Sequence, residues 1–150
     1  MNDFSAPPTL IPAKPLPLRL HWFWVLFLGI ITLGIFTRLW MIVQASWAKK
    51  INGSGNATPL AWLSLILGVS VLYLTLFTRF AAPAADLSGT DLLLRDLVKL
   101  GNAALYLTAA FSLRRELEDA TGLVLQGGMT FFFGPIYFQY HLRKYGRVSR

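Results

Sequence analysis

No cysteine occurs among the 150 residues, so disulfides, thiolate metal sites and cysteine nucleophiles are excluded. Histidine appears only as His21 and His141, each at the edge of an apolar stretch, and no carboxylate lies between Asp3 and Asp86. Acid and base chemistry needs titratable groups gathered in a pocket, so an enzyme is the class least expected. No nucleotide-binding glycine loop, zinc-ligand spacing or nucleophile elbow is present. Charge of either sign is scarce: 14% of residues are charged, against roughly 25% in a typical soluble domain. So few charges cannot coat a water-bathed globule.

Hydrophobic residues make up 55% of the chain and gather in four stretches, about Trp22 to Val43, Pro59 to Phe80, Leu92 to Leu113 and Leu123 to Tyr140. Leu60 to Phe77 contains no charge at all, and a helix of that length spans the ~30 Å hydrocarbon layer at ~1.5 Å per residue. The expectation is an all-α, helical integral membrane protein with about four apolar helical segments. Segments one and four are open to a kink or a hairpin. The lipid bilayer is the expected partner, and no cofactor or metal is expected. Residues 1–18 hold Pro7, Pro8, Pro12, Pro15 and Pro17, five of the eight prolines, and read as an extended tail. Residues 19–145 then form one membrane domain and 146–150 a basic tail. A cleaved signal peptide is disfavoured, because the proline-rich lead is long and Arg38 and Trp40 interrupt the approach to Val43-Gln44-Ala45.

The formal net charge is +7. Its basic residues flank the apolar segments in short clusters instead of covering one face, which fits anionic lipid and topology better than nucleic acid. In the first segment Arg38 falls before Leu39 to Val43 resume the apolar run, and Gly34 offers a bend. On a helix, residues 38 to 51 place Trp40, Trp47 and Ile51 opposite Arg38 and Lys49, as expected of a helix lying along a membrane surface. Asn52 to Thr58 is a turn-rich polar connection, after which Pro59 suits the start of a helix. Its two glycosylation-like triplets read more simply as loop composition.

Asp96, Lys99 and Asn102 in the third segment are, with Arg38, the candidate intramembrane polar residues. Polar groups at that depth often mark an ion path, but an outer turn standing in the head-group layer accounts for them with less. Arg114-Arg115-Glu116-Leu117-Glu118-Asp119 holds three carboxylates without a histidine nearby and reads as a solvated, self-paired helix end, not a metal site. In the fourth segment Gly134-Pro135 is the expected helix break, with Thr130 or a neighbour satisfying the freed carbonyl.

Ile31-Thr32-Leu33-Gly34-Ile35-Phe36 followed by Trp40, together with Phe133-Gly134-Pro135-Ile136-Tyr137-Phe138-Gln139-Tyr140, resembles a family of small bacterial membrane proteins classified as a domain of unknown function. Phe36 stands where that family more often has tyrosine, and His141 follows the motif where a lysine-like residue is usual. The resemblance implies a helical bacterial membrane protein and carries over no catalytic residues.

Charge placement argues topology. Four crossings put Lys49, Lys50, Arg114 and Arg115 opposite the termini. Two crossings, with segments one and four folded back as hairpins, place all of these on one side and leave only the 81–90 loop, without lysine or arginine, outside. The rarity of hairpins and the length of segment four tip the expectation slightly toward four crossings; both arrangements put the termini in the cytoplasm and the chain in the inner membrane. The expected role is a non-enzymatic component that packs with itself or with another membrane protein through small residues such as Gly68, Ser70, Gly101, Ala103, Ala104, Gly127 and Gly128. The alternative is a small channel or transporter built on Arg38, Asp96, Lys99, Asn102 and the broken fourth segment.

Overall fold

The first apolar stretch is two helices. α1 (Trp22–Ile31) opens with the His21 Nδ1 accepting from Phe23 N, and it closes at Thr32-Leu33-Gly34. There Gly34 N donates to Gly29 O and Leu33 N to Ile30 O, the paired bonds of a Schellman stop. Leu33 takes the left-handed conformation (φ 52) that this stop requires, and Gly34 continues the reversal at φ 87. α2 (Ile35–Asn52) then runs back beside α1. Thr37 lies so close to Gly29 that a Cβ there would sit 2.5 Å from the threonine hydroxyl, and the missing side chain lets the two arms touch.

The computed structural model describes residues 20–53, 55–80 and 89–148, without the side chains of 91 and 144–148. The tail expected at 1–18, most of the 81–90 loop and the last two residues lie outside the described residues. α3 (Ala57–Phe80) and α4 (Gly89–Thr121) form a long pair, and α5 spans Gly127–Val148, running through the residues expected to begin the basic tail. No strand occurs among the described residues. By length and composition, α3 is the one helix among them able to cross a membrane; α1 is apolar but short.

α5 is not straight. Gly134 adopts φ 41, ψ −120, closed to residues with a Cβ, and Pro135 follows. In an unbroken helix positions 126 and 137 would be about 16 Å apart along the axis, yet Gln126 N donates to the Tyr137 hydroxyl at 3.2 Å. The chain therefore folds back at Gly134. Pro135 begins the second arm, where its fixed φ suits a first helical position and its missing N–H costs nothing. Thr130, expected to serve a carbonyl freed by the proline, instead bonds Gln126 O one turn back.

Met41, Ala45, Ala61, Leu65, Leu113 and Phe138 belong to one apolar core. Alanines such as Ala45, Ala48, Ala61 and Ala110, all fully buried, let α2, α3 and α4 approach closely. That core occupies one end of the α3/α4 pair: no described side chain of α3 beyond Leu65 or of α4 before Ala109 is buried. The free-lying helix expected for residues 38–51 is instead packed between others. α2 contacts α3, α4 and α5, with Met41, Ile42, Gln44, Ala45, Trp47 and Ala48 buried, while Leu39, Val43, Lys49 and Lys50 stay exposed. Arg38, on the charged side of the expected pattern, is half-buried and turns toward Ser64 on α3, whereas Lys49 is exposed.

Candidate functional site

Buried polar groups converge where the two folded-back segments meet the long pair. α2 contributes Trp40 and Gln44 one turn apart, and the second arm of α5 contributes Pro135 and Gln139 at the same spacing. The Gln139 Oε1 accepts from Trp40 Nε1 at 3.2 Å and from Gln44 Nε2 at 3.4 Å, while its Nε2 donates to Leu20 O at 2.6 Å. Gln44 Nε2 also reaches Pro135 O at 3.0 Å, directly at the fold-back corner. Both glutamines are essentially inaccessible, at 1% and 0% exposure. One side chain thus ties the start of α1, the middle of α2 and the second arm of α5.

Arg38 forms a second node. Its Nη1 donates to the Ser64 hydroxyl at 2.8 Å and to the Ser64 carbonyl, and its guanidinium lies 5.2 Å from the Tyr106 ring centroid. Gly68 makes room for it, since a Cβ at that position would come within 2.6 Å of the guanidinium carbon. Across Tyr106 stands the corner of α5: a Cβ on Gly134 would be 3.1 Å from the tyrosine oxygen. No carboxylate pairs with Arg38 among the described residues. Its charge rests on hydroxyl and carbonyl dipoles and on the ring face.

Glu116 is the third node and corrects the expectation of a wholly solvated acidic helix end. Its Oε1 accepts from Ala57 N at 2.7 Å at the start of α3, and Asn52 Nδ2 bonds its backbone oxygen at 2.8 Å. At 9% exposure it is a buried cap for the positive end of a helix. Glu118 keeps the expected i,i+4 pair with Arg114 at 3.1 Å, but also accepts from Leu125 N at 2.8 Å and so holds the turn into α5. Beside Glu116 an open cleft of about 1020 Å³ is lined by Asn52, Asn56, Ser112, Arg115 and Asp119.

The residues singled out from sequence are not one site. Lys99 and Asp96 pair at 3.0 Å on the open surface of α4, at 56% and 70% side-chain exposure. Asn102 lies between them and Tyr106 on the same helix, and its Oδ1 is buried without a hydrogen-bond partner. Lys99 is about 10 Å along α4 from Tyr106, and Arg38 is hydrogen-bonded to Ser64 on α3. Gly134 and Pro135 are where the break was expected. Gln44, Gln139, Ser64, Tyr106 and Glu116 were missed as polar anchors. The available signal was amide side chains inside uncharged stretches, a turn apart on two segments, but a sequence does not say which segments meet.

Among the described residues no three His, Asp or Glu side chains are grouped to hold a metal. Family models, curated proteins and solved structures yield no match to this chain.

Proposed function

We propose that this is a non-enzymatic integral membrane protein in which α3 and α4 cross the bilayer, while α1/α2 and α5 enter and leave the same leaflet as helical hairpins. One observation carries the reading: in the apolar 18-residue window of α3 only 11% of the residues are buried. A core helix in a water-soluble bundle turns such residues inward; here Trp62, Leu63, Ile66, Leu74 and Phe77 face outward. Lipid is the environment in which that exposure costs nothing. Membership of the small bacterial family resembled by the Gly34 and Gly134-Pro135 motifs is part of the proposal, since those glycines form the two hairpin corners.

Orientation follows from charge. Lys49, Lys50, Arg114 and Arg115 flank the hairpin end, against Arg79, Arg95 and Lys99 at the opposite end. The positive-inside tendency then places the hairpin end in the cytoplasm, with the 81–88 segment outside the inner membrane. Two crossings supersede the slight preference for four because segments one and four both turn back. The test introduces single thiols at Asn56, Ser88 and Arg150 into the cysteine-free chain, followed by labelling of intact cells with an impermeant reagent. Labelling at Ser88 alone is expected; labelling at Asn56 defeats the arrangement.

The role is read from packing. Gly101, Ala104 and Thr108 share one exposed face of α4, as in small-residue interfaces between membrane helices. The protein accordingly packs with a second copy or another membrane protein through that face. Detergent-solubilised mass tests this: a strictly monomeric particle with nothing bound defeats it. The alternative, transport, is tested by flux in proteoliposomes, which on this proposal is expected to be absent.

A further inference from the structure

The cross-section of the molecule changes along its long axis. At the core end six helical arms lie side by side: α1, α2, α3, α4 and the two arms of α5. The hairpins reach Gly68 on α3, through Arg38, and Tyr106 on α4, through Arg38 and Gly134. The first corner, at Leu33, lies about 7 Å past Arg38, and beyond it α3 continues for about 11 Å and α4 for about 18 Å at ~1.5 Å per residue, where none of their described side chains is buried.

Exposure at the thin end is not confined to a stripe. Leu92, Leu93, Leu94, Leu97, Val98 and Leu100 are all exposed, and at about 100° per residue they point round most of the circumference of α4. A partner helix on the Gly101, Ala104 and Thr108 face leaves most of these side chains uncovered; acyl chains cover the rest of the circumference. The hairpin corners are apolar too, with Ile30, Ile31 and Leu33 at one and Phe131, Phe132 and Phe133 at the other, all exposed. They suit acyl depth, while Lys49, Lys50 and Arg115 at the hairpin bases are exposed where head groups lie.

We propose that the protein is a leaflet wedge whose partner is a curved lipid surface: six arms spread the hairpin-bearing leaflet, two arms occupy the other, and membrane convex on the hairpin side is favoured. The proposal rests on the two-crossing reading above. At ~10 Å per helix diameter, the area taken in the two leaflets differs about threefold, and lipid packing around inserted helices is sensitive to such asymmetry.

The full chain bearing a single thiol at Asn56 or at Ser88 is reconstituted, at low density, into vesicles of phosphatidylcholine and phosphatidylglycerol of about 50 nm and about 400 nm diameter. Flotation after an alkaline wash reports integration, and an impermeant maleimide reports which end faces out. The outer leaflet of a small vesicle is strongly convex, so the ratio of Asn56 to Ser88 labelling is expected to rise at least about twofold from large to small vesicles. A chain that floats but shows the same ratio in both sizes overturns the wedge and leaves the membrane reading standing. A chain that fails to float overturns both.

Discussion

Replacing Gln139 with leucine isolates the node that joins three elements. The volume is nearly kept, so packing around the fully buried side chain changes little, while the acceptor for Trp40 Nε1, the acceptor for Gln44 Nε2 and the donor to Leu20 O are lost. Gln44 keeps Pro135 O as an acceptor, so the stranded groups are the Trp40 N–H and the Leu20 carbonyl. Hydrogen bonds between membrane helices average about 0.6 kcal/mol and reach about 1.7, whereas a buried group left unsatisfied costs about 1–3 kcal/mol. The expected loss for Gln139→Leu is therefore about 2 kcal/mol, read by detergent-denaturant titration in bicelles with circular dichroism. Because Trp40→Phe removes the stranded donor, the double variant is expected to be less destabilised than the two singles added, with a coupling of about 1 kcal/mol. Tyr140→Leu, at an exposed neighbour, is the control and should stay within about 0.5 kcal/mol of the parent. A Gln139→Leu protein as stable as the control, or a strictly additive cycle, refutes the assignment of Gln139 as the tie.

The other nodes give separable outcomes in the same titration. Gly134→Ala forces a Cβ into a φ 41 backbone and should cost about 1–3 kcal/mol, with no rescue from Tyr106→Phe if backbone strain and not contact with the hydroxyl dominates. Glu116→Ala strips the cap from Ala57 N and should cost about 1 kcal/mol, seen also as faster hydrogen exchange at the first turn of α3. Gly68→Leu displaces the Arg38 guanidinium from Ser64 and should cost about 1.5–3 kcal/mol, the range for hydrogen bonds to a charged group. Asp96→Ala breaks an exposed pair and should change stability by less than about 0.5 kcal/mol.

Helical class was legible because four apolar stretches, punctuated by Gly34, Asn52 to Thr58, Gly89 and Gly134-Pro135, leave little else for this composition to form. The position of each bend was legible as well, since glycine and proline act locally. How far the chain turns was not. Gly34 alone does not reveal that Leu33 will accept a left-handed conformation, and Pro135 reads as a kink within a helix until Gly134 is seen to place it first in a new arm. The same limit applies to the polar residues. Arg38 and Glu116 carry the same formal charges whether they face water or Ser64 and Ala57, and only the packing of α2 and α4 on α3 decides between these. Asp96 and Lys99, three apart on one exposed helix face, could be paired from spacing alone.

On the proposed membrane reading, a helix that turns back inside lipid ends where no water reaches its terminal N–H and C=O groups, so other parts of the chain must supply partners. At the first corner Thr32 does this locally, its hydroxyl donating to Leu28 O at 2.7 Å and accepting from Phe36 N at 2.9 Å. At the second, Gln44 reaches in from α2 to Pro135 O and Gln139 reaches out to Leu20 O, so each hairpin secures the other. Amide side chains suit the task because they donate and accept at once without charge. The two glutamines thus tie one folded-back segment to the other. In this chain the explanation has a measurable consequence: Gln139→Leu and Gln44→Leu should loosen the α5 corner together, exposing a thiol placed at Phe133 to aqueous reagent, whereas Asp96→Ala should leave that thiol protected.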